Sequence, residues 1–291
     1  MISSILMQAL RVFAIIVIVP IVGGLIAGID RKITAKMQGR KGPPILQPFY
    51  DVIKLLQKQS KTINPITRYF LLLSLVFNMF NVVLFFMGAS ILLCIFAFTL
   101  SCIFFVLAGY SSHSPFSFLG AERELIQVMC CVPMLIILAF GYYQAVGSFY
   151  ITYAFGLSVP AVSRLPLIFF GLLYIITIKL RKSPFDMSMS HHAHQELVQG
   201  ITTELEGSCL AIVHVSHWFE TVFSIRLVFL FLVSREPLGW VIGIAICLAV
   251  YFLEILVDNA AARIKYQTAL RASWVTISVL GIANLAVLSF L

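Results

Sequence analysis

Residues 90–109, SILLCIFAFTLSCIFFVLAG, form a run of 20 residues that contains no charged side chain. An α-helix rises 1.5 Å per residue, so this run is about 30 Å long as a helix, which matches the hydrocarbon core of a bilayer. A helix also satisfies its own backbone hydrogen bonds, which no water can do at that depth. The stretch therefore predicts a membrane-spanning helix.

Similar runs recur along the whole chain. Of its 291 residues, 60% are hydrophobic and 11% are charged, whereas soluble domains contain about 25% charged residues. The candidate spans are residues 9–29, 69–88, 90–109, 125–146, 164–180, 209–233, 238–257 and 272–291. We predict an all-α polytopic membrane protein with about eight transmembrane helices, and we treat residues 1–291 as one integral membrane domain.

One further apolar run, residues 149–160, is too short to cross a bilayer. Two interpretations stay open for it. In the first interpretation, the run forms a re-entrant or interfacial segment. In the second, it lengthens the fifth predicted span.

The basic residues are distributed unevenly among the connections. The segments 30–68, 110–124, 179–208 and 258–271 hold 16 of the 20 Lys and Arg residues. Cytoplasmic loops retain positive charge, so we expect these segments on the cytoplasmic side of an inner (cytoplasmic) membrane and both termini outside. The long inner connections favour a partner that docks from the cytoplasm. Because no basic stripe alternates with aromatic residues, we expect no nucleic-acid partner, and contact with anionic lipid is the other expected interaction.

The stretch GRKGPPILQPFYDVIKLLQKQ, residues 39–59, predicts an additional helix that does not span. Apolar residues recur there at helical spacing, namely Ile45, Leu46, Phe49, Val52, Ile53 and Leu56, and a second face carries Gln47, Asp51, Lys54 and Lys58. Such a segment is expected to lie along the membrane interface. A strut on the lipid surface and an element that faces a substrate or partner both stay open.

The six cysteines lie in or beside apolar runs, and none has the spacing of a metal-ligand pair. Free cysteine is commonly a small buried side chain. We therefore expect no metal site and no cofactor in this chain.

The sixth predicted span carries polar residues at depth. His214, His217, Thr221 and Ser224 repeat at three- or four-residue spacing, and Glu220 flanks this stripe. Glu220 lies on the order of 18 Å beyond the helix start near residue 208. Ionisable groups at such depth normally face protein or water, so the stripe indicates a polar path, and a hydrogen-bonded pair that only fixes packing is the alternative.

The connection 182–207, KSPFDMSMSHHAHQELVQGITTELEG, is unusually polar. Asp186, Glu196 and Glu204 are expected to exchange protons or ions there, because the cations Lys179, Arg181 and Lys182 lie nearby in the sequence. Its three histidines are His191, His192 and His194. Their spacing is not a recognised metal motif. A partner interface, a proton relay and structural hydrogen bonding stay open for them.

Several segments together resemble a known family. The string R-x-G-P at 40–43 is followed by L-Q-P-x-x-D-x-I-K-L-L at 46–56, and S-P-x-S-x-x-G-A-x-R-E at 114–124 is followed by Gln127. Further matches are Pro184-Phe185-Asp186, Glu196-Leu197-Val198, Thr203-Glu204, and Arg263, Tyr266, Leu270, Arg271 and Trp274. In this order they resemble the NuoH-type subunit of respiratory NADH dehydrogenase.

Two features indicate a branch of that family. The histidine-containing segment 190–196 makes the large loop longer than in respiratory members, and Ser216-His217-Trp218-Phe219-Glu220 is similar to an A-H-W-Y-E motif. Both resemble the membrane subunit of energy-converting nickel–iron hydrogenases of the Ech and formate-hydrogenlyase kind. The resemblance implies a subunit without a redox centre of its own that joins a cytoplasmic electron-transfer arm to H⁺ or Na⁺ movement.

The resemblance also implies partners and residue roles. The expected partners are the hydrogenase large and small subunits and an iron–sulfur protein on the cytoplasmic side, which carry the nickel–iron centre and the clusters, together with antiporter-like membrane subunits. The proposed ion pathway comprises Lys179, Asp186, Glu196, Glu204, His214, His217, Glu220, Glu254 and Asp258. The proposed partner interface comprises Arg40, Asp51, Lys54, Glu122, Arg123, Glu124, His191, His192 and His194.

The chain departs from the respiratory pattern at two places. Cys131 and Val132 stand where Tyr-Glu is expected, and Lys179 stands where respiratory members tend to have Glu. Both departures count against the main competing function, a quinone-site subunit of a NADH-dehydrogenase-like complex. A stand-alone secondary transporter and a passive anchor also stay open, although no inverted repeat of interrupted helices favours the transporter.

Overall fold

The computed structural model describes residues 2–58, 64–186, 188, 197 and 199–290. Within these ranges the regular elements are helices, and Ser90 and Tyr150 form an isolated β-bridge. The predicted residues Glu196, His191, His192 and His194 lie outside the described residues. The all-α prediction is confirmed.

The described part of the chain contains ten α-helices. They are α1 (Ile2–Met37), α2 (Gln47–Gln57), α3 (Pro65–Phe86), α4 (Ile91–Ser111), α5 (Pro115–Val146), α6 (Pro166–Lys179), α7 (Gly207–Leu232), α8 (Pro237–Ala260), α9 (Tyr266–Thr276) and α10 (Ala283–Phe290). A π-helical segment, Ile277–Ile282, joins α9 to α10. Seven helices in these ranges are long and apolar enough to span, counting Tyr266–Leu288 as one, and α6 is a shorter apolar helix. The prediction of about eight spans is confirmed.

Prolines set where several helices begin. Pro65, Pro115, Pro166 and Pro237 each open a helix, at the position where a missing backbone N–H costs nothing. Asn64 adds a side-chain cap, since its carbonyl oxygen accepts from the Ile66 amide at 3.1 Å. The first residue of α5 and of α6 sets the register of each helix, and the register determines which of its side chains face the interior.

The run 149–160 does not lengthen the next span. It forms a short 3₁₀ turn, Ile151–Gly156, and α6 begins only at Pro166. Backbone hydrogen bonds join this connection to the α3–α4 turn, from Ile91 N to Phe149 O and from Ile151 N to Ala89 O. The connection therefore closes one end of the bundle.

The interior of the bundle is formed mainly by α4, α5, α6 and α7, whose buried apolar side chains make one continuous cluster. The outer faces of α1, α8 and the last span are exposed and apolar, as expected of surfaces that contact lipid or other membrane subunits. The predicted amphipathic helix is α2. It packs Phe49 on Trp218 of α7, with ring centroids 5.1 Å apart, and leaves Ile53 and Leu56 exposed.

Glycine allows α2 to lie this close to α1. An added Cβ at Gly28 would overlap the carbonyl oxygen of Ile45, and one at Gly24 would overlap the Phe49 ring. The segment before α2 is therefore held directly against α1.

Candidate functional site

A cavity of about 1450 Å³ lies where α1, the α6–α7 connection, α7 and the α8–α9 connection meet. Many charged side chains line it, including Asp30, Lys179, Arg181, Lys182 and Glu220. Buried charges are costly unless they are paired. The pairing of these groups therefore determines what the site can do.

Arg181 is the centre of one cluster on the cavity wall. Its Nη2 donates to Glu124 Oε1 at 2.8 Å, and its Nη1 donates to Glu220 Oε2 at 3.1 Å. The two carboxylates come from α5 and α7, and both are buried. Burial by itself lowers the pKa of Arg181, but the two carboxylates outweigh it and raise the pKa above its ordinary value. The guanidinium therefore stays charged and ties α5 to α7.

His217 lies between the arginine and the acid. Its Nδ1 is 3.0 Å from Arg181 Nη1 and 2.9 Å from Glu220 Oε2. A single ring nitrogen can accept a hydrogen bond from Arg181 or donate one to Glu220, but it cannot do both. The protonation of His217 is thus linked to the hydrogen bonding of Glu220.

Lys179 brings a second cation to the same cluster. Its Nζ donates to Cys102 Sγ at 3.1 Å and lies 4.7 Å from the centroid of the Phe98 ring. With Arg181 it balances the two carboxylates of Glu124 and Glu220. We call these five residues, Glu124, Lys179, Arg181, His217 and Glu220, the Arg181 cluster. Its charge balance makes its burial inside the protein tolerable.

The α6–α7 connection is tied directly to this cluster. Ser188 donates its single hydroxyl hydrogen to Glu124 Oε2 at 2.5 Å, and its Oγ lies 3.2 Å from Gln127 Oε1. Gln127 Nε2 in turn donates to the carbonyl oxygen of Phe185 at 2.6 Å. A displacement of this connection would therefore pull on Glu124.

A second cluster is centred on Lys182. Its Nζ donates to Asp30 Oδ2 at 2.6 Å and to Asp258 Oδ2 at 3.1 Å. The Ser183 amide donates to Asp258, and the Tyr251 hydroxyl donates to Asp30. Burial lowers the pKa of Lys182, but the two aspartates outweigh it, so the pKa lies above its ordinary value. This Lys182 cluster, comprising Asp30, Lys182, Tyr251 and Asp258, joins α1 to α8.

Two further acids lie apart from both clusters. Glu254 is buried between α6 and α8, where Thr177 donates to its Oε1 at 3.1 Å. Its Oε2 makes no hydrogen bond to a residue that the structure describes. Asp186 is buried and forms an ion pair with Arg263 at 3.6 Å, which connects the α6–α7 and α8–α9 connections.

The structure brings together only part of the predicted ion pathway. Lys179, His217 and Glu220 share the Arg181 cluster, whereas Asp258 belongs to the Lys182 cluster. His214 lines the cavity. Glu204 is exposed in the α6–α7 connection, outside both clusters.

The predicted partner interface is also divided. Glu124, which the resemblance of segment 114–124 placed there, is instead 2% exposed in the Arg181 cluster. Arg40 and Arg123 line the cavity, while Lys54 and Glu122 are exposed on the surface.

Asp51, the remaining residue of that interface, is paired with Arg31 of α1 at 2.6 Å. Burial raises its pKa, but the hydrogen bonds from Arg31 and Gln47 outweigh burial and hold the pKa below its ordinary value. The pair fastens α2 to α1.

Sequence reasoning noted Arg181 and Lys182 only as cations near the predicted acids, and it missed that they organise the site. Arg181, Lys182 and Asp30 stand out in the sequence only as charges at span ends, and Cys102 only as a packing residue. The available signal was the pair of adjacent cations directly after an apolar helix. The pattern alone did not show which acids they meet.

Three further polar residues of α7, namely Thr221, Ser224 and Arg226, have defined neighbours. The hydroxyls of Thr221 and Ser224 donate to backbone carbonyls one turn earlier, at His217 and Glu220. The Arg226 guanidinium lies over the rings of Phe86, Phe155 and Phe229, at 4.9, 5.8 and 5.0 Å from their centroids. Arg226 therefore fastens the end of α7 to α3 and the α5–α6 connection.

Within the described residues, no group of three or more His, Cys, Asp or Glu side chains is arranged to hold a metal ion. The fold and the site together define a polytopic membrane protein with paired charges buried around a cavity at one end of the bundle. The chain belongs to the NADH dehydrogenase family, whose model matches residues 10–289. This confirms the resemblance seen in the sequence.

Curated relatives extend that assignment. The chain is 28% identical to hydrogenase-4 component C of Escherichia coli, with 89% of each chain covered. It is 26% identical to formate hydrogenlyase subunit 4 of the same organism, covering 98% of this chain and 97% of that protein. A NADH-quinone oxidoreductase subunit of Syntrophotalea carbinolica is 28% identical, with 89% of this chain and 88% of that protein covered. The homologues are thus membrane subunits of hydrogenase and NADH-dehydrogenase-type complexes.

A solved structure shows the same fold. A chain in the membrane-bound sulfane sulfur reductase, an archaeal respiratory membrane complex, superposes with a TM-score of 0.82 at 21% identity. The superposition covers 95% of this chain and 99% of that chain. The arrangement of helices is therefore shared with a subunit of a multisubunit membrane complex.

Proposed function

We propose that this chain is the coupling subunit of an energy-converting, hydrogenase-type membrane complex, in which it links a cytoplasmic electron-transfer arm to H⁺ or Na⁺ movement. Two relatives with hydrogenase and formate-hydrogenlyase names support this branch. The reaction belongs to the complex, and its nickel–iron centre and iron–sulfur clusters reside in partner subunits. This chain supplies the ion-handling groups.

The observation that carries the proposal is the position of Glu220. It lies deep in α7, 8% exposed, on the wall of the cavity and bonded to Arg181 and His217. A carboxylate of this kind is stable as an anion only while its countercharge stays close. If Arg181 moves away, Glu220 takes up a proton or another cation, and the return of Arg181 expels it.

The segment that follows α6 provides the means of moving Arg181. Arg181 adopts a left-handed backbone conformation, with φ of 51°, which is unfavourable for a residue with a side chain. Its position is therefore held by its ion pairs and by the contacts of Phe185 and Ser188 with α5. A redox-dependent movement of the docked arm against this connection would be passed to Arg181.

The docking surface is proposed on the end of the bundle where the cavity opens. Exposed Glu204, Lys54 and Glu122 remain candidates for contacts with the arm there, as do the predicted histidines outside the described residues. Asp186, paired with Arg263, is the proposed link between that surface and the Arg181 cluster.

The expected setting is a cytoplasmic membrane with both termini outside, which the distribution of Lys and Arg supports. Antiporter-like subunits and lipid are the proposed neighbours of the apolar outer faces.

The test uses the assembled complex in proteoliposomes. Glu220→Gln and, separately, Asp186→Asn are compared with Glu236→Gln, which changes an exposed acid at the start of α8. We expect the first two variants to lose ion transport driven by electron transfer and the control to keep it. Normal transport and hydrogen turnover in Glu220→Gln would refute the proposal.

The cavity favours one second candidate, a quinone-site subunit. Its volume exceeds the several hundred cubic ångströms typical of small-molecule sites. The charged lining and the absence of the family carboxylate at Val132 weigh against it. Quinone reduction by the purified complex, measured beside hydrogen production, distinguishes the two functions.

A further inference from the structure

Asn81 is a buried polar residue that none of the clusters above uses. It lies in α3 with no exposed surface. Neither its Nδ2 nor its Oδ1 makes a hydrogen bond to any other residue that the structure describes. A buried amide without partners is strongly unfavourable, so native proteins usually supply a partner, which is commonly an ordered water.

The helix register places Asn81 at the same depth in the bundle as the Arg181 cluster. Asn78 Nδ2 of α3 donates to Ser216 Oγ of α7 at 2.7 Å, and the rings of Phe85 and Phe223 are 5.5 Å apart. Both pairs are separated by seven residues in each helix, so α3 and α7 run side by side in the same direction. Asn81, three residues after Asn78, therefore lies at the depth of Glu220, four residues after Ser216.

The helix α4 contacts both α3 and α7 near this depth. Ser101 of α4 is hydrogen-bonded to Ser74 of α3, and Cys102 Sγ lies 3.9 Å from Glu220 Oε1. Glu220 Oε2 lies within hydrogen-bond distance of Arg181 Nη1 and His217 Nδ1. Among the described residues, Glu220 Oε1 has only the weak Cys102 thiol as a hydrogen-bond donor. Glu220 thus retains acceptor capacity on the side of α3 and α4, where Asn81 lies.

We infer that Asn81 binds a buried water molecule that bridges it to Glu220 Oε1 and extends the proton path beyond the Arg181 cluster. A neutral ligand fits because Lys179 and Arg181 already balance Glu124 and Glu220, so an added cation would leave the cluster positively charged. Water both donates and accepts, which matches an amide and a carboxylate. The role in transport rests on the proposed function, whereas the binding of the water does not.

The first test is a cryo-EM map of the whole complex at a resolution that shows ordered water. We expect a solvent peak within hydrogen-bond distance of Asn81 in the wild type and in Asn81→Ser, which keeps a polar group and leaves room. We expect none in Asn81→Leu, which is similar in size and apolar. A wild-type map without the peak refutes the site. A peak that requires sodium and has the short distances of a cation replaces the water with an ion and overturns the inference.

The second test measures ions moved per electron pair in proteoliposomes. Asn81→Leu should lose transport, Asn81→Ser should retain it, and Met79→Leu is a control on another face of α3. Unchanged transport in Asn81→Leu refutes the extended path. If Glu220→Gln also transports normally, the proposed function itself fails. If Asn81→Leu transports ions normally and Glu220→Gln does not, only the inference about Asn81 fails.

Discussion

Arg181 and Lys182 are adjacent in the chain, yet their side chains hold different pairs of carboxylates. Arg181 binds Glu124 and Glu220 on α5 and α7, and Lys182 binds Asp30 and Asp258 on α1 and α8. One short backbone segment therefore sets the ion pairing of four helices. A small displacement of this segment would change both clusters together, and this is the movement that the proposed coupling function uses.

Removal of the Arg181 charge should destabilise the protein strongly. Arg181→Gln leaves two buried carboxylates without their main countercharge, and losing one partner of a buried pair costs about 3–5 kcal/mol. Arg181→Lys should retain part of the stability, since a point charge replaces the planar fork. Thermal unfolding of the purified complex in detergent measures both. Exposed Arg271 supplies the control, Arg271→Gln, and equal stability of Arg181→Gln and this control would contradict the prediction.

The Lys182 cluster should weaken at alkaline pH, where Lys182 loses its charge. The pKa of Lys182 in the folded protein is above its ordinary value of 10.5, so its ion pairs contribute fully below pH 10.5 and are lost as pH rises through the higher folded value. Lys182→Met should lower the melting temperature near neutral pH and should lack this alkaline step.

Melting curves of the wild type and Lys182→Met across the alkaline range check this. The difference between the two proteins should be constant at neutral pH and shrink above pH 10.5. A difference that instead grows with rising pH would mean that Lys182 is not held as a cation.

A methyl group at Gly120 should disturb the contact of α5 with the α6–α7 connection. An added Cβ would lie 2.5 Å from the Ile201 amide nitrogen, close to rigid backbone. Gly120→Ala should therefore cost about 1–3 kcal/mol, as overpacking usually does. Gly156→Ala is the matched control, because an added Cβ there meets nothing within 4 Å. Comparable thermal stability in the two variants would show that the backbone at Ile201 shifts to accommodate the methyl group at little cost in free energy.

The orientation in the membrane can be tested with engineered cysteines. All six native cysteines are buried, so a membrane-impermeant maleimide should label few native sites. Arg235→Cys, at an exposed position before α8, should react in intact cells. Lys36→Cys, exposed at the end of α1, should react only after the membrane is permeabilised. The opposite pattern would place both termini in the cytoplasm.

The main features of the fold could be predicted from local patterns. Runs such as 90–109 identify the spans because the bilayer requires one apolar length for every helix. Helical spacing in 45–56 identifies α2 for the same local reason. The connection 149–160 is ambiguous in the sequence, because a short apolar run does not show whether it continues a neighbouring helix.

The site could be predicted only in part. Glu220 and His217 can be found because an ionisable residue inside a span is itself unusual. The resemblance of segment 114–124 predicts a docking role for Glu124, but the structure shows that its carboxylate meets Arg181, 57 residues further along the chain. Glu204 looks equivalent to the other acids in its motif, yet it is exposed.

The sequence by itself determined that the chain is a helical membrane protein of this family, where its spans lie and which deep residues carry charge. Those properties depend on the match between each segment and the bilayer, residue by residue. Only the tertiary structure decided that neighbouring Arg181 and Lys182 serve separate clusters, and that Asn81 lies at the depth of Glu220. The pairing of buried charges depends on how helices that are far apart in the sequence pack together. No local sequence pattern encodes which of those helices meet.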